Sequence, residues 1–190
     1  MKQNLRIAIM MTLVTTVLFG LLYPLAVTGL GQLFFPAQAN GGLITNGSQV
    51  LGSHLIGQPF SSPAYFHSRP SAAGNGYDGG SSGASNFGPT NHQLIDRVKA
   101  DVEKLQTENP GTPIPVDLVT SSGSGLDPDI SPAAAEFQIP RIARERGINA
   151  ADVRALVAKH TLGRQFGVLG EPRVNVLELN LDLEAIHPKR

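Results

Sequence analysis

The sequence predicts one N-terminal transmembrane helix followed by a single small mixed α/β domain of the α+β class, held on the extracytoplasmic side. Three observations carry this. Ile7 to Phe35 is an uncharged run dominated by Leu, Val, Ile, Ala and Phe, and about 20 such residues cross a bilayer. Lys2 and Arg6 precede the run, while the next Lys or Arg is Arg69. Beyond it, helix-period and strand-period segments are mixed, with no internal repeat. The division expected is residues 1–6 in the cytoplasm, 7–35 as the anchor region and 36–190 as the extracytoplasmic domain. Roughly 150 residues bury roughly 70% of their unfolded surface, enough for a self-sufficient core.

The charge asymmetry sets the orientation, because positively charged flanks stay on the cytoplasmic side. Ala37-Gln38-Ala39 has the small-x-small form of a signal-peptidase site, so a cleaved leader is the competing reading. The apolar run is about twice the length of a leader's apolar core, which favours the anchor. Pro24, Gly29 and Gly31 are compatible with a membrane helix. Ala8, Thr12, Thr16 and Gly20 recur every fourth residue and form a stripe of small side chains on which another membrane helix can pack closely.

Past the anchor, Leu43-Ile44, Val50-Leu51, Leu55-Ile56 and Tyr65-Phe66 are short apolar runs between Gly, Ser, Asn and Pro, and they read as short strands. Thr90 with Gln93 has the form of a capping box. Leu94, Ile95, Val98, Val102 and Leu105 give the following helix its apolar stripe, and Asn109-Pro110-Gly111 ends it. Ile114 to Val119 reads as a strand and Thr120 to Gly125 as a Ser/Gly loop. A second helix opens after Ser131 with Pro132 at its first position and stops before Gly147, with Pro140 expected to kink or split it. A third begins at Asn149, turns Val153, Leu156 and Val157 inward, and ends near Gly163. Leu177, Leu179, Leu181 and Leu183 alternate with polar residues, which favours a final half-buried strand over a helix.

Composition removes several classes of function. There is no cysteine, so disulfides, zinc thiolates and cysteine nucleophiles are excluded. Fifteen basic and fifteen acidic residues give no electrostatic footprint for nucleic acid. Gly74-x-Gly76-x-x-Gly79 matches a dinucleotide fingerprint in letters only, since no apolar strand leads into it and no helix opens from it. Gly79-x-Ser81-x-Gly83 likewise lacks the strand and helix of a nucleophile elbow. His54, His67, His92, His160 and His187 show no metal-ligand spacing. No Walker-type phosphate loop and no Asp-Lys-Thr-Gly phosphorylation sequence is present, so ATP hydrolysis by this chain alone is not expected. A membrane-tethered hydrolase would need Ser81 or Ser124 beside a histidine. A secreted binding module would need the leader to be cleaved.

Six ordered blocks run along the chain: Gly52-Ser-His-Leu-Ile-Gly-Gln-Pro-Phe60, Tyr65-Phe-His-Ser-Arg-Pro-Ser-Ala72, Ser85-Asn-Phe-Gly-Pro-Thr-Asn91, Leu118 to Ser131, Gln138-Ile-Pro-Arg-Ile-Ala143, and Gly170 to Leu181. Together they resemble the C subunit of the Kdp potassium-transporting ATPase, from the anchor to the last element. The resemblance implies an accessory, non-catalytic subunit of a high-affinity, ATP-driven potassium uptake complex in the bacterial inner membrane. Its implied partners are a channel-like potassium-translocating subunit, an ATP-hydrolysing P-type subunit, a small single-span subunit and membrane lipid. It further implies a catalytic chaperone that raises the hydrolysing subunit's affinity for ATP, with no cofactor bound stably and ATP met through a complex with that subunit.

No catalytic or metal-binding residue follows from the resemblance. The matched loops supply interaction candidates: Gln58, Tyr65, Arg69, Pro70 and Ser71 from the first two blocks, then Ser85, Asn86, Thr90 and Asn91, then Ser122, Ser124, Gly125, Leu126 and Asp127. Arg69 offers a planar fork for carboxylates or carbonyls. Turn and capping chemistry is the competing role for each. Within the Ser/Gly loop, Ser124→Ala is expected to be neutral and a bulky side chain at Gly125 to impair function.

Overall fold

The computed structural model describes residues 1–188, so the last two residues of the expected 36–190 domain lie outside the described residues. The chain forms two compact units, one from Met1 to Leu43 and one from Ile44 onward. In the first, α1 is a continuous helix, Lys2–Phe34, of mean hydropathy 2.1 in its most apolar window and with none of that window buried. At 1.5 Å per residue its 33 residues span about 50 Å, more than the roughly 30 Å hydrocarbon layer. Thr12 Oγ1 donates to the Ala8 carbonyl at 2.9 Å and Thr15 Oγ1 to the Met11 carbonyl at 2.7 Å, so both hydroxyls are satisfied inside the helix.

The segment Thr16–Leu22 of α1 is π-helical. Its position follows from Pro24, whose ring would meet the Gly20 carbonyl in a regular α-helix and which has no N–H to give it. The wider turn opens the ladder just upstream of the proline. It also acts on the small-residue stripe: rows spaced by four drift around an α-helix, and the extra residue per π turn opposes that drift between Thr16 and Gly20. After α1, a single turn α2, Pro36–Ala39, is closed by Asn40, whose side-chain amide donates to the Pro36 carbonyl at 2.7 Å and pairs with Gln32.

Around the second unit run β1, Leu43–Asn46, and β2, Gln49–Ser53, which form a two-stranded sheet. Next comes α3, His92–Glu108, then β3, Asp129–Ile130, and α4, Pro132–Arg146. They are followed by α5, Ala150–His160, β4, Thr161–Leu162, β5, Arg173–Asn175, and α6, Val176–Ile186. The strands β3, β5 and β4 make an antiparallel sheet in that order, with Ile130 and Thr161 both opposite Val174. Helices α4, α5 and α6 pack with this sheet around Phe66, Ile130, Ile139, Ile142, Val153, Val174, Leu179 and Leu183.

Several sequence expectations change here. The α3 cap is Asn91, which accepts from the Gln93 N–H at 2.8 Å, and not Thr90. Helix α4 runs unbroken through Pro140. The Phe137 carbonyl, one turn before that proline, also accepts from the Asn109 side chain at 3.1 Å. Helix α5 stops at His160, short of Gly163. Ile114 to Val119 is not a strand: Pro115 cannot donate to a ladder, and Val116–Leu118 closes as a 3-10 turn. Leu55-Ile56 keeps only an isolated bridge between Ser53 and Ile56.

The final element is a helix beyond a three-residue strand. Asn175 caps it by accepting from the Glu178 N–H at 3.1 Å, and Val176, Leu179, Asn180 and Leu183 share its buried face. Leucine favours helix over strand, and the spacing of three, four and seven wins over alternation.

Tyr65-Phe66 is the most informative departure. Phe66 is fully enclosed and Tyr65 half-buried, yet among the described residues no strand pairs with this segment. Side-chain amides take the place of a neighbouring strand. Asn180 accepts from Phe66 N–H at 2.8 Å and donates to the Phe66 carbonyl at 2.9 Å. Gln138, 1% exposed, does the same for His67 at 2.7 and 3.1 Å. Arg141, 5% exposed, donates to the carbonyls of Pro63 and Tyr65, to Gln138 Oε1 and to Glu108. Arg146 donates to the Ala64 carbonyl at 2.7 Å and to Glu184 at 2.9 Å.

Removing one of these amides leaves two buried backbone groups unpaired. We expect Asn180→Leu to cost about 2–4 kcal/mol, from the usual penalty of about 1–3 kcal/mol per orphaned group. Urea unfolding of the full chain in detergent, read by circular dichroism, measures it. A loss below about 0.5 kcal/mol would show that the segment is held by apolar burial alone.

Candidate functional site

The Ser/Gly loop from Thr120 to Asp127 lies against three other segments. Arg69 donates to Asp127 Oδ2 at 2.8 Å and to the carbonyls of Thr120 and Ser121 at 3.4 and 3.5 Å. The Ser71 hydroxyl donates to the Gly125 carbonyl at 2.5 Å and accepts from the N–H groups of Ala73 and Tyr77. Ser82 Oγ and the Gly83 N–H both donate to the Ser124 carbonyl, and the Gly57 N–H donates to the Leu126 carbonyl at 2.8 Å. Tyr77, in the left-handed region at φ 55°, donates its hydroxyl to the Arg69 carbonyl, and burial pushes its phenol up to about 12.

Gly125 is the tightest point. Its φ is +67°, and a Cβ there would lie 2.6 Å from both the Ala73 nitrogen and the Gly83 carbonyl oxygen. Ser122, Gly125 and Leu126 are buried, whereas Ser124 is exposed with its hydroxyl accepting from the Leu126 N–H. Impairment by a bulky residue at 125 therefore reports on folding of the loop, and by itself says nothing about a partner.

Beside this junction is an open cavity of about 620 Å³, lined in part by Arg69, Asp127, Asp129, Glu171 and Arg173. Arg69 pairs with Asp127, Arg173 with Asp129 at 3.0 Å, and Glu171 with Arg164, while Asp117, also in the lining, accepts from the Ser131 N–H and hydroxyl. Burial raises the Asp129 carboxyl despite Arg173, which lowers it less. Among the described residues no cluster of three or more His, Asp or Glu side chains has the arrangement of a metal site.

The structure thus brings Arg69, Ser71, Gly125, Leu126 and Asp127 together, with Pro70 and Ser122 in the same segments. Gln58 is nearby, donating to the Leu51 carbonyl at 3.1 Å, and its own carbonyl accepts from Ser68. Tyr65 belongs elsewhere: its hydroxyl donates to Glu184 at 2.9 Å and Arg146 lies 4.7 Å over its ring. Ser85, Asn86 and Thr90 lie on the chain leading into α3, with Asn86 at φ 53° and Asn91 occupied as the helix cap. Among the described residues, neither Ser81 nor Ser124 has a histidine ring within hydrogen-bond reach; His54 pairs with Glu178, His67 with the Ser62 carbonyl and His160 with Asp182. Burial lowers the His67 pKa and keeps the ring neutral near pH 7.

Sequence reasoning missed Gln138, Arg141, Arg146 and Asn180 as determinants of this architecture. The available signal was polar side chains at core-facing helix positions, which require buried partners.

The family profile described as "K+-transporting ATPase, c chain", KdpC, matches residues 5–185. The chain belongs to the KdpC family. It is 62% identical over 188 residues to a potassium-transporting ATPase KdpC subunit of Koribacter versatilis, covering 99% of this chain and 97% of that protein. It is 58% identical over 186 residues to the KdpC subunit of Acidobacterium capsulatum, covering 97% and 100%. The KdpC subunit of Rhodopseudomonas palustris is 53% identical over 197 residues, covering 97% and 99%. The KdpC match runs through both α1 and the domain.

We expect Gly125→Ala to destabilise this KdpC-family domain by about 2–4 kcal/mol, combining a left-handed backbone with a backbone clash, and Ser124→Ala to shift it by less than about 1 kcal/mol. Thermal unfolding of the two full-length variants gives the comparison. Equal stabilities would mean that the loop is not locked onto residues 71–83.

Proposed function

We propose that this chain is an accessory subunit of an ATP-driven potassium-transporting complex, anchored by α1 with residues 1–6 in the cytoplasm and the domain from Ile44 onward outside it. The observation that carries the reading is the continuous family match from residue 5 to residue 185, which takes in anchor and domain as one unit. The name shared by these relatives, potassium-transporting ATPase KdpC subunit, supplies the transported ion and the ATPase. Lys2 and Arg6 against an uncharged stretch reaching Ser68 support the orientation.

Its partners in this reading are the channel-like potassium-translocating subunit, the ATP-hydrolysing P-type subunit and the small single-span subunit, met through the Ala8, Thr12, Thr16 and Gly20 face of α1 and through the domain. The chain holds no nucleotide of its own. With the domain outside the cytoplasm, a chaperone effect on ATP affinity is a coupling free energy transmitted through the membrane subunits. Among the described residues, a hydrolase role finds no serine–histidine pair at Ser81 or Ser124 to build on.

Two readouts on one preparation test this. The tagged full-length chain, solubilised in detergent, should co-purify with a potassium-stimulated ATPase. A single cysteine at Ser82 should react with a membrane-impermeant maleimide in cells whose inner membrane is intact. Purification without ATPase activity would sink the assignment to the complex. Labelling only after the inner membrane is broken would reverse the topology and allow direct contact with ATP.

A further inference from the structure

Helix α3 is loosely seated in the domain. None of its 17 residues is fully buried, and its apolar stripe, Leu94, Ile95, Val98, Val102 and Leu105, is only half-buried. From Ala84 to Thr107, every hydrogen bond and ion pair among the described residues joins groups no more than four positions apart. The polar ties to the rest of the domain stand at the two ends of this arm. Upstream, Ser82 Oγ and the Gly83 N–H donate to the Ser124 carbonyl. Downstream, Glu108 accepts from Arg141 Nε at 2.7 Å, and the Asn109 side chain donates to the Phe137 carbonyl at 3.1 Å. Both downstream partners belong to α4, and Gly111 at φ +75° turns the chain directly behind them, so residues 108 and 109 form a pivot. A segment with few buried apolar contacts opens at low free energy.

A cavity of about 340 Å³ lies against α3, whose Asp101, Lys104, Leu105 and Glu108 line it together with His67 and Tyr77. We propose that α3 is a proton-operated flap, which pivots about Glu108 and Asn109 and swings off this cavity when the His67 ring takes up a proton. The neutral ring makes one hydrogen bond, Nε2 donating to the Ser62 carbonyl at 3.1 Å. A second proton therefore goes to Nδ1, for which the described residues supply no acceptor. With the flap closed, the charged ring is desolvated and faces two cations, Arg141 from α4 and Lys104 from α3. The carboxylates in the lining are already engaged, Glu108 by Arg141 and Asp101 by Arg97 at 2.9 Å. Tyr77 stays a neutral phenol, pushed up to about 12 by burial. Swinging α3 outward hydrates the ring and removes Lys104, while the pair of Glu108 with Arg141 stays closed at the pivot. Burial, and after it Arg141, hold His67 below the ordinary histidine value, outweighing the Ser62 carbonyl and Glu108, which raise it. The closed form thus binds fewer protons than the open one, and opening gains as pH falls below about 6.5. With the domain outside the cytoplasm, as proposed above, the pH read is that of the exterior, but the switch itself does not depend on that placement.

The chain has no cysteine, so two introduced ones are the only sites for spin labels. Gln93→Cys, exposed at the far end of α3, and Ala158→Cys, exposed on α5, report the swing as a distance distribution in the full-length protein in detergent. Double electron–electron resonance reads it. We expect one distance near pH 7.5 and a second, open population whose fraction rises at least about threefold near pH 5. His67→Gln in the same labelled chain stays neutral at both pH values and should keep the closed distance throughout. In the parent, the His67 ring followed by NMR should titrate with the same midpoint as the opening, a measurement that needs no variant at position 67 to fold. An unchanged distribution at pH 5, an equal acid shift in His67→Gln, or a ring that titrates without any change in distance overturns the flap. None of these outcomes bears on the subunit assignment, which co-purification tests separately.

Discussion

Phe66 is fully enclosed, with Ala64 and Ser68 buried on either side of it, yet among the described residues no strand lies beside this segment, and the domain is arranged around satisfying its backbone. A buried peptide group without a partner costs about 1–3 kcal/mol, so a segment of this kind survives only where every group is met. The side-chain amides of Gln138 and Asn180 reproduce the donor and acceptor pair of an adjacent strand, one on His67 and one on Phe66. The guanidinium groups of Arg141 and Arg146 take the Pro63, Ala64 and Tyr65 carbonyls, which lie just before that pairing. Three of these four side chains come from α4 and one from α6, so the segment fixes how those helices sit relative to each other.

That constraint reaches the candidate surface. With residues 63–67 pinned, the chain leaves toward Arg69 and Ser71 in a set direction, and these two side chains lock the Ser/Gly loop through Asp127 and the Gly125 carbonyl. The loop in turn delivers β3, which pairs with β5. The connection between β4 and β5 is thereby carried on a sheet whose other edge is β3. The domain is thus cross-tied from residues 63–67 through the Ser/Gly loop to the β3–β5 pairing.

The sequence carried the helices well, because caps and apolar spacing are local signals. Asn149, Ser131 with Pro132, and Gly147 bounded α4 and α5 correctly or within a turn. Where two periods fitted one segment, local reading failed: Leu177 to Leu183 alternates, yet Asn180 must face Phe66, and that demand lies 114 residues away. Tyr65-Phe66 looked like a strand because it is extended and apolar, while its partners are side chains with no strand signature. The same limit applied to the candidate surface. Arg69, Ser71 and the loop at 122–127 stood out as separate blocks, but only the fold joins them and sets Tyr65, Ser85, Asn86, Thr90 and Asn91 apart. Phe166 carries no signal in the sequence, since an aromatic residue between Gln165 and Gly167 does not reveal that it faces solvent.

The central physical claim is that side chains from α4 and α6 hold residues 63–67 as firmly as a strand would. Native-state hydrogen exchange of the full-length protein in detergent reads this directly at the Phe66 and His67 amides. The account predicts protection as high as that of the α4 core amides around Ile139 and Ile142, since opening either amide requires those helices to separate. Exchange at the rate of the exposed amides near Phe166 would contradict it.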